Sequence, residues 1–97
     1  MSSYRLSASA FADLREIHDY ISDDNPDAAN QLNEKFETKF CKLAEFPNMG
    51  SPLRRLGPEV RSATVGMYVI VYRPTEYGIE VVRVLQGNRD IESMFNS

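Results

Sequence analysis

The stretch SDDNPDA at residues 22–28 stops one helix and starts another, and it constrains the fold more than any other feature of this chain. Asn25 suits an N-cap, Pro26 fits the first helical position, and Asp27 complements the positive end of the helix dipole. Ahead of it Phe11, Leu14, Ile17 and Ile21 recur at helical spacing behind Ser7, a ready N-cap, through about residue 22. Beyond it Ala29, Leu32, Phe36, Phe40 and Leu43 step by three and four as far as Phe46, where Pro47 ends the pattern. Two amphipathic helices joined so tightly are expected to pack as an antiparallel hairpin, with Phe11, Leu14, Ile17, Leu32, Phe36, Phe40 and Leu43 in the core. Asp13, Glu16, Asp19 and Asp23 fall off the first stripe and are expected to face water.

The second half changes character. Residues 47–58, PNMGSPLRRLGP, hold three prolines and two glycines and read as a loop. Val60 to Val65 and Tyr68 to Arg73 then read as strands around a Gly66-Met67 turn. Residues 74–78 make the next turn, and Ile79 to Gln86 the last strand. Short turns between successive strands predict an antiparallel meander. With Tyr4-Arg5-Leu6 as an opening strand, the order is β-α-α-β-β-β. The fold class is α+β: a helical hairpin on one face of a small antiparallel sheet. The chain has no helix for the other sheet face, which makes that face a candidate partner surface.

Ninety-seven residues suit a single domain, 1–97, with residues 87–97 as a tail. No apolar stretch approaches the ~20 residues of a membrane span, and the N-terminus shows no signal-peptide pattern, so no membrane partner is expected and the cytoplasm is the expected compartment. Cys41 is the one cysteine, which excludes an internal disulfide or a cysteine-based metal site; beside Phe40 and Leu43 it reads as a small buried hydrophobe. His18, the one histidine, lies next to the first helical stripe and reads as a surface or packing residue. No metal-ligand cluster, phosphate-binding glycine loop or hydrolase elbow is present, so no cofactor and no catalytic residue is assigned.

The charge is unevenly spread. Residues 1–46 carry 5 basic and 9 acidic side chains, residues 47–97 carry 6 and 5. All six basic groups of the second half are arginines: Arg54, Arg55, Arg61, Arg73, Arg83 and Arg89. Arginine suits planar, bidentate recognition of carboxylates or phosphates. The balance is too weak for direct nucleic-acid binding to be expected from charge.

Five segments in order, YRLSASAFADLREIHDYI, FPNMGSPLRRL, VRS, YVIVYR and VVRVLQGNRD, resemble the ParE toxins of bacterial type II toxin–antitoxin modules, within the wider RelE/ParE superfamily. The last is the most specific, since the family often reads R-V-L-H-G-x-R-D there; this chain has Gln86 in place of the histidine. The resemblance implies a toxin that inhibits DNA gyrase by binding, held inactive in a hetero-oligomer with a ParD-like antitoxin. RelE-like relatives instead cleave messenger RNA on the ribosome, using basic residues and a C-terminal tyrosine. Aligning the strand and turn motifs puts Arg89 where those relatives keep a catalytic arginine. The same alignment puts Val69 where they have another arginine and Phe95 where they have the tyrosine. Valine cannot hold a phosphate and phenylalanine has no ionisable hydroxyl, so that chemistry is disfavoured. A non-toxic remnant that only binds its antitoxin is the third reading.

Arg61, Arg83 and Arg89 are the candidate antitoxin- or target-binding residues. Arg83 has an equally weighted second reading, a structural salt bridge to Glu80 or Glu59. Asp90 is a candidate cap for a terminal turn.

Overall fold

The computed structural model describes residues 2–87. Strand β1 (Ser3–Leu6) leads into helices α1 (Ala8–Ser22) and α2 (Pro26–Glu45), followed by β2 (Ser51–Pro52), β3 (Arg61–Val65), β4 (Tyr68–Thr75) and β5 (Gly78–Gln86). Short 3₁₀ turns at Pro47–Met49 and Arg54–Leu56 flank β2. The caps act as their chemistry demands. Ser7 Oγ accepts from Ala10 N–H at 3.0 Å and donates to the Val82 carbonyl at 2.8 Å. Asn25 Oδ1 accepts from Ala28 N–H at 3.1 Å, with Pro26 at the first helical position.

The strands lie in the order β1-β5-β4-β3-β2. β3, β4 and β5 form the antiparallel meander, while β1 runs parallel to β5, pairing Ser3 with Gly78 through Leu6 with Val81. The sheet is therefore mixed, not wholly antiparallel. A strand that enters a hairpin of two antiparallel helices leaves and re-enters the sheet layer from the same end, and the β1 edge is the place left beside β5. Gly78 makes that pairing possible: its φ of +141° is open to glycine, and a Cβ there would collide with the Ser3 carbonyl. The last turn is two residues, Glu76-Tyr77, so β4 and β5 are longer than the expected 68–73 and 79–86.

The hairpin covers one sheet face. Phe36, Phe40 and Leu43 of α2 and Ala10 of α1 are buried against Tyr68, Ile70, Tyr72, Ile79, Val81 and Val84, with Leu14, Ile17 and Leu32 packed at the margin. Phe36 stacks near Phe40 (centroids 6.0 Å) and meets Tyr68 edge-on (5.7 Å), a geometry that adds to the area buried. Phe11 departs from expectation: it is 53% exposed, and Ala10 takes the inward position. The reason is close approach. Ser7 N–H donates to the Val81 carbonyl at 2.9 Å, which fixes the first turn of α1 against the sheet with Ala10 fully buried beneath it. Cys41 is exposed too, because Phe40, Leu43 and Ala44 occupy the inward positions around it.

The register of β5 slips once. Val81 faces Tyr72 and Arg83 faces Val71, leaving Val82 as an extra residue, a β-bulge. The bulge lets both Val81 and Val84 point into the helix-facing core, with Val82 and Arg83 between them.

Candidate functional site

Arg83 and Asp13 form the central polar contact of the molecule. Arg83 Nε donates to Asp13 Oδ2 at 2.7 Å and Nη2 donates to Oδ1 at 3.1 Å, a bidentate pair. Asp13 Oδ2 also accepts the Val84 backbone N–H at 3.0 Å. β1 pairs with β5 only as far as Val81, so α1 lies along the remaining edge and Asp13 satisfies a donor that no strand reaches. Asp13 is thus not a water-facing residue, and Arg83 pairs with neither Glu80 nor Glu59. Glu80 belongs to Arg73, whose Nε donates to Glu80 Oε1 at 2.8 Å across the β4–β5 ladder. The Asp13 carboxylate raises the Arg83 pKa above its ordinary value, with burial opposing it.

Arg61 is held differently. Its Nη1 donates to the Asn48 carbonyl at 3.1 Å and the Gly50 carbonyl at 2.7 Å, tying the 3₁₀ turn after α2 to the start of β3. Tyr72, fully buried, clamps the same turn from inside: its hydroxyl donates to the Pro47 carbonyl at 2.8 Å and accepts from Gly50 N–H at 2.9 Å. Gly50 is required by this approach, since a Cβ there would stand 2.6 Å from the Ser62 carbonyl and 2.8 Å from the Tyr72 ring. Burial pushes the Tyr72 phenol up, against the smaller pull of Gly50 N–H and the Arg61 charge. This lock sits inside the segment read from sequence as a plain loop. Its one legible signal was the tyrosine at a core-facing position of β4, which must find partners for its hydroxyl.

Two grooves flank α1. One, about 340 Å³, lies between the helices and β1, with Tyr4, Leu14, Phe36 and Phe40 on its walls and Phe11 at its rim. The other, about 440 Å³, runs between α1 and the end of β5, where Ile17, Tyr20, Leu85 and Gln86 adjoin the Asp13–Arg83 pair. Tyr20 is largely exposed at its edge. His18 lies between the helices, its Nε2 3.3 Å from Asn30 Oδ1. The structure therefore sets Arg83 at a groove and the Arg61 side chain, from the start of β3, against the turn after α2, while Arg89, Asp90 and Phe95 lie outside the described residues.

The sheet face turned from the helices is less open than expected. Tyr68, Ile70 and Tyr72 point to the core, so Val69, Val71 and Arg73 point away. Val71 and Leu85 are nevertheless only 1% and 6% exposed, and Val69 and Val82 are half-buried. Among the described residues no valine or isoleucine of the sheet is left exposed for a partner to cover. Nor does any group of three His, Cys, Asp or Glu among them gather as metal ligands, and no helix among them is long and apolar enough to cross a membrane.

Comparison with known proteins agrees with this architecture. Residues 4–91 match the family described as the ParE toxin of type II toxin–antitoxin system, parDE. Toxin ParE1 of Caulobacter vibrioides is 34% identical over 90 residues, covering 88% of each chain. Toxin RelE2 of the same organism is 33% identical over 84 residues, 82% of this chain and 89% of that one. Among solved structures, a chain of the chromosomal ParDE system from P. aeruginosa superposes with a TM-score of 0.72 over 89% of this chain and 96% of its own, at 22% identity, a likeness of fold. Sequence and fold together lead to one conclusion: this chain belongs to the ParE toxin family of type II toxin–antitoxin systems.

Proposed function

We propose that this toxin acts by binding and inhibiting DNA gyrase without catalysis, and that a ParD-like antitoxin neutralises it. The observation that carries the non-catalytic reading is the sheet face turned from the helices. Val69, the second residue of β4, stands on that face, apolar and half-buried, where phosphate chemistry would require a cation. The nearest arginine along β4, Arg73, already serves Glu80. Arg83 is committed to Asp13 and Arg61 to two backbone carbonyls, which leaves these arginines to shape a binding surface more than to attack a bond. The antitoxin contacts we assign are Arg61, Arg83 and Arg89, together with the apolar groove of the helical hairpin. A segment disordered when free would fold there as it binds.

The likeness to a relative named RelE2 favours a second reading, ribosome-dependent cleavage of messenger RNA. Induced expression in bacteria, with and without the antitoxin, separates the two by scoring growth, plasmid supercoiling and mRNA integrity. Growth arrest with relaxed plasmids and intact transcripts is the expected outcome. Arrest with transcripts cut inside codons and normal supercoiling would establish the second reading, and no arrest at all would leave only an antitoxin-binding remnant.

A further inference from the structure

The chain's three lysines, Lys35, Lys39 and Lys42, all lie on one face of α2. They wall a groove of about 630 Å³ between α2 and β3, floored by Thr38, Thr64 and the nearly buried Val65. Among the described residues Glu34 is the one carboxylate at the groove, so three ammonium groups outweigh it. Lys35 and Lys39 are four residues apart and Lys39 and Lys42 three, the spacings at which like charges on a helix repel. Glu37 and Glu45 occupy the same helix without an ion pair to any of the three among the described residues. A folded chain that keeps this arrangement is suited to receive negative charge from outside.

β3 supplies the other half of the site. β2 pairs only with Arg61 and Ser62, so Ala63, Thr64 and Val65 present an outer strand edge with no neighbour among the described residues. An unpaired edge offers a row of backbone N–H and C=O groups that an extended polypeptide can match. A nucleic acid backbone has no matching row of alternating N–H and C=O groups to pair with that edge. Carboxylates on alternate residues of an extended segment repeat every ~6.7 Å, while Lys35 and Lys39 are separated by about 6 Å along the helix axis.

We propose that the lysine face of α2 and the open edge of β3 form a docking site for an acidic, extended polypeptide segment, which adds as a strand to Ala63–Val65 with its carboxylates on Lys35, Lys39 and Lys42. The site lies across the molecule from the Asp13–Arg83 groove and stands on this chain's own chemistry, whatever the cellular target.

The test is fluorescence anisotropy with a labelled peptide of alternating Glu and Val, against the same peptide with Lys in place of Glu and a single-stranded DNA oligonucleotide of equal negative charge. The acidic peptide binds and the basic one does not. The triple variant K35Q/K39Q/K42Q, which leaves every core residue in place, weakens binding at least about tenfold and removes most of its salt dependence. Amide exchange read by NMR slows at Ala63–Val65 when the peptide is added. No binding by the acidic peptide, equal binding by the triple variant, unprotected Ala63–Val65 amides, or tighter binding of the oligonucleotide would each overturn the proposal.

Discussion

Asp13 and Arg83 stand 70 residues apart in the chain yet meet through two hydrogen bonds, and the same carboxylate takes the Val84 backbone N–H. One acidic side chain thereby fastens the first helix to the free edge of the last strand. Their side chains are only 14% and 29% exposed, so the pair is shielded from the screening that weakens surface ion pairs.

Asp13→Ala should cost about 2–3 kcal/mol, since it strands a partly buried guanidinium and a strand-edge N–H together. Arg83→Ala should cost less, because Asp13 keeps its bond to Val84. Chemical denaturation of both single variants and the double variant gives the coupling directly; additive losses would mean the two residues act separately.

Phe36→Ala should lose ~3–5 kcal/mol, because Phe36 is 2% exposed and its two aromatic neighbours cannot close the cavity. Phe11→Ala should lose less than ~1 kcal/mol. Equal losses in urea melts would place Phe11 in the core after all.

How far the sequence could be read follows from which contacts are local. The hairpin was legible because Ser7, Asn25 and Pro26 act within one turn of themselves, and the meander because its turns are short. Three features depend on partners far along the chain. β1 is four residues long, and nothing within it selects the parallel edge of β5. The bulge at Val82 shows in sequence only as an unbroken apolar run with an arginine inside it. Asp13 lies off the apolar stripe and so reads as water-facing, but a helix lying beside a strand edge has a second contact line, where a carboxylate is useful. Phe11 fits the helical period as well as Leu14 does; the tether at Ser7 decides against it.

Tyr72→Phe should destabilise by ~1–3 kcal/mol by leaving the Pro47 carbonyl and Gly50 N–H without their partner. A pH series adds a second signature. The Tyr72 pKa is raised in the folded state, so its contribution is fully present below the unfolded value of 10.0 and is lost as pH rises through the folded value. Wild-type stability should therefore fall above about pH 10, and the fall should be shallower in Tyr72→Phe. Burial, with smaller effects of Glu37 and Cys41, raises the Tyr4 pKa in the same direction, so some of the slope should survive. Identical alkaline slopes in the two proteins would remove the lock from the account.

Arg61→Ala and Arg83→Ala should each weaken antitoxin binding as well as stability, by ~2–5 kcal/mol if the contact is a buried pair and far less at a rim. Calorimetric titration with purified antitoxin, run well below the melting temperature of each variant, separates the two effects. Wild-type affinity in Arg61→Ala, Arg83→Ala and Arg89→Ala alike would assign these arginines to the fold or to the toxic target.

The most direct test of the central claim is the supercoiling of relaxed plasmid by purified gyrase in the presence of this chain alone. The account predicts inhibition that rises with the chain's concentration and is relieved by adding its antitoxin, with translated mRNA left uncut in a parallel primer-extension assay. Full supercoiling under an excess of the chain, with discrete ribosome-dependent cuts in the mRNA, would contradict it.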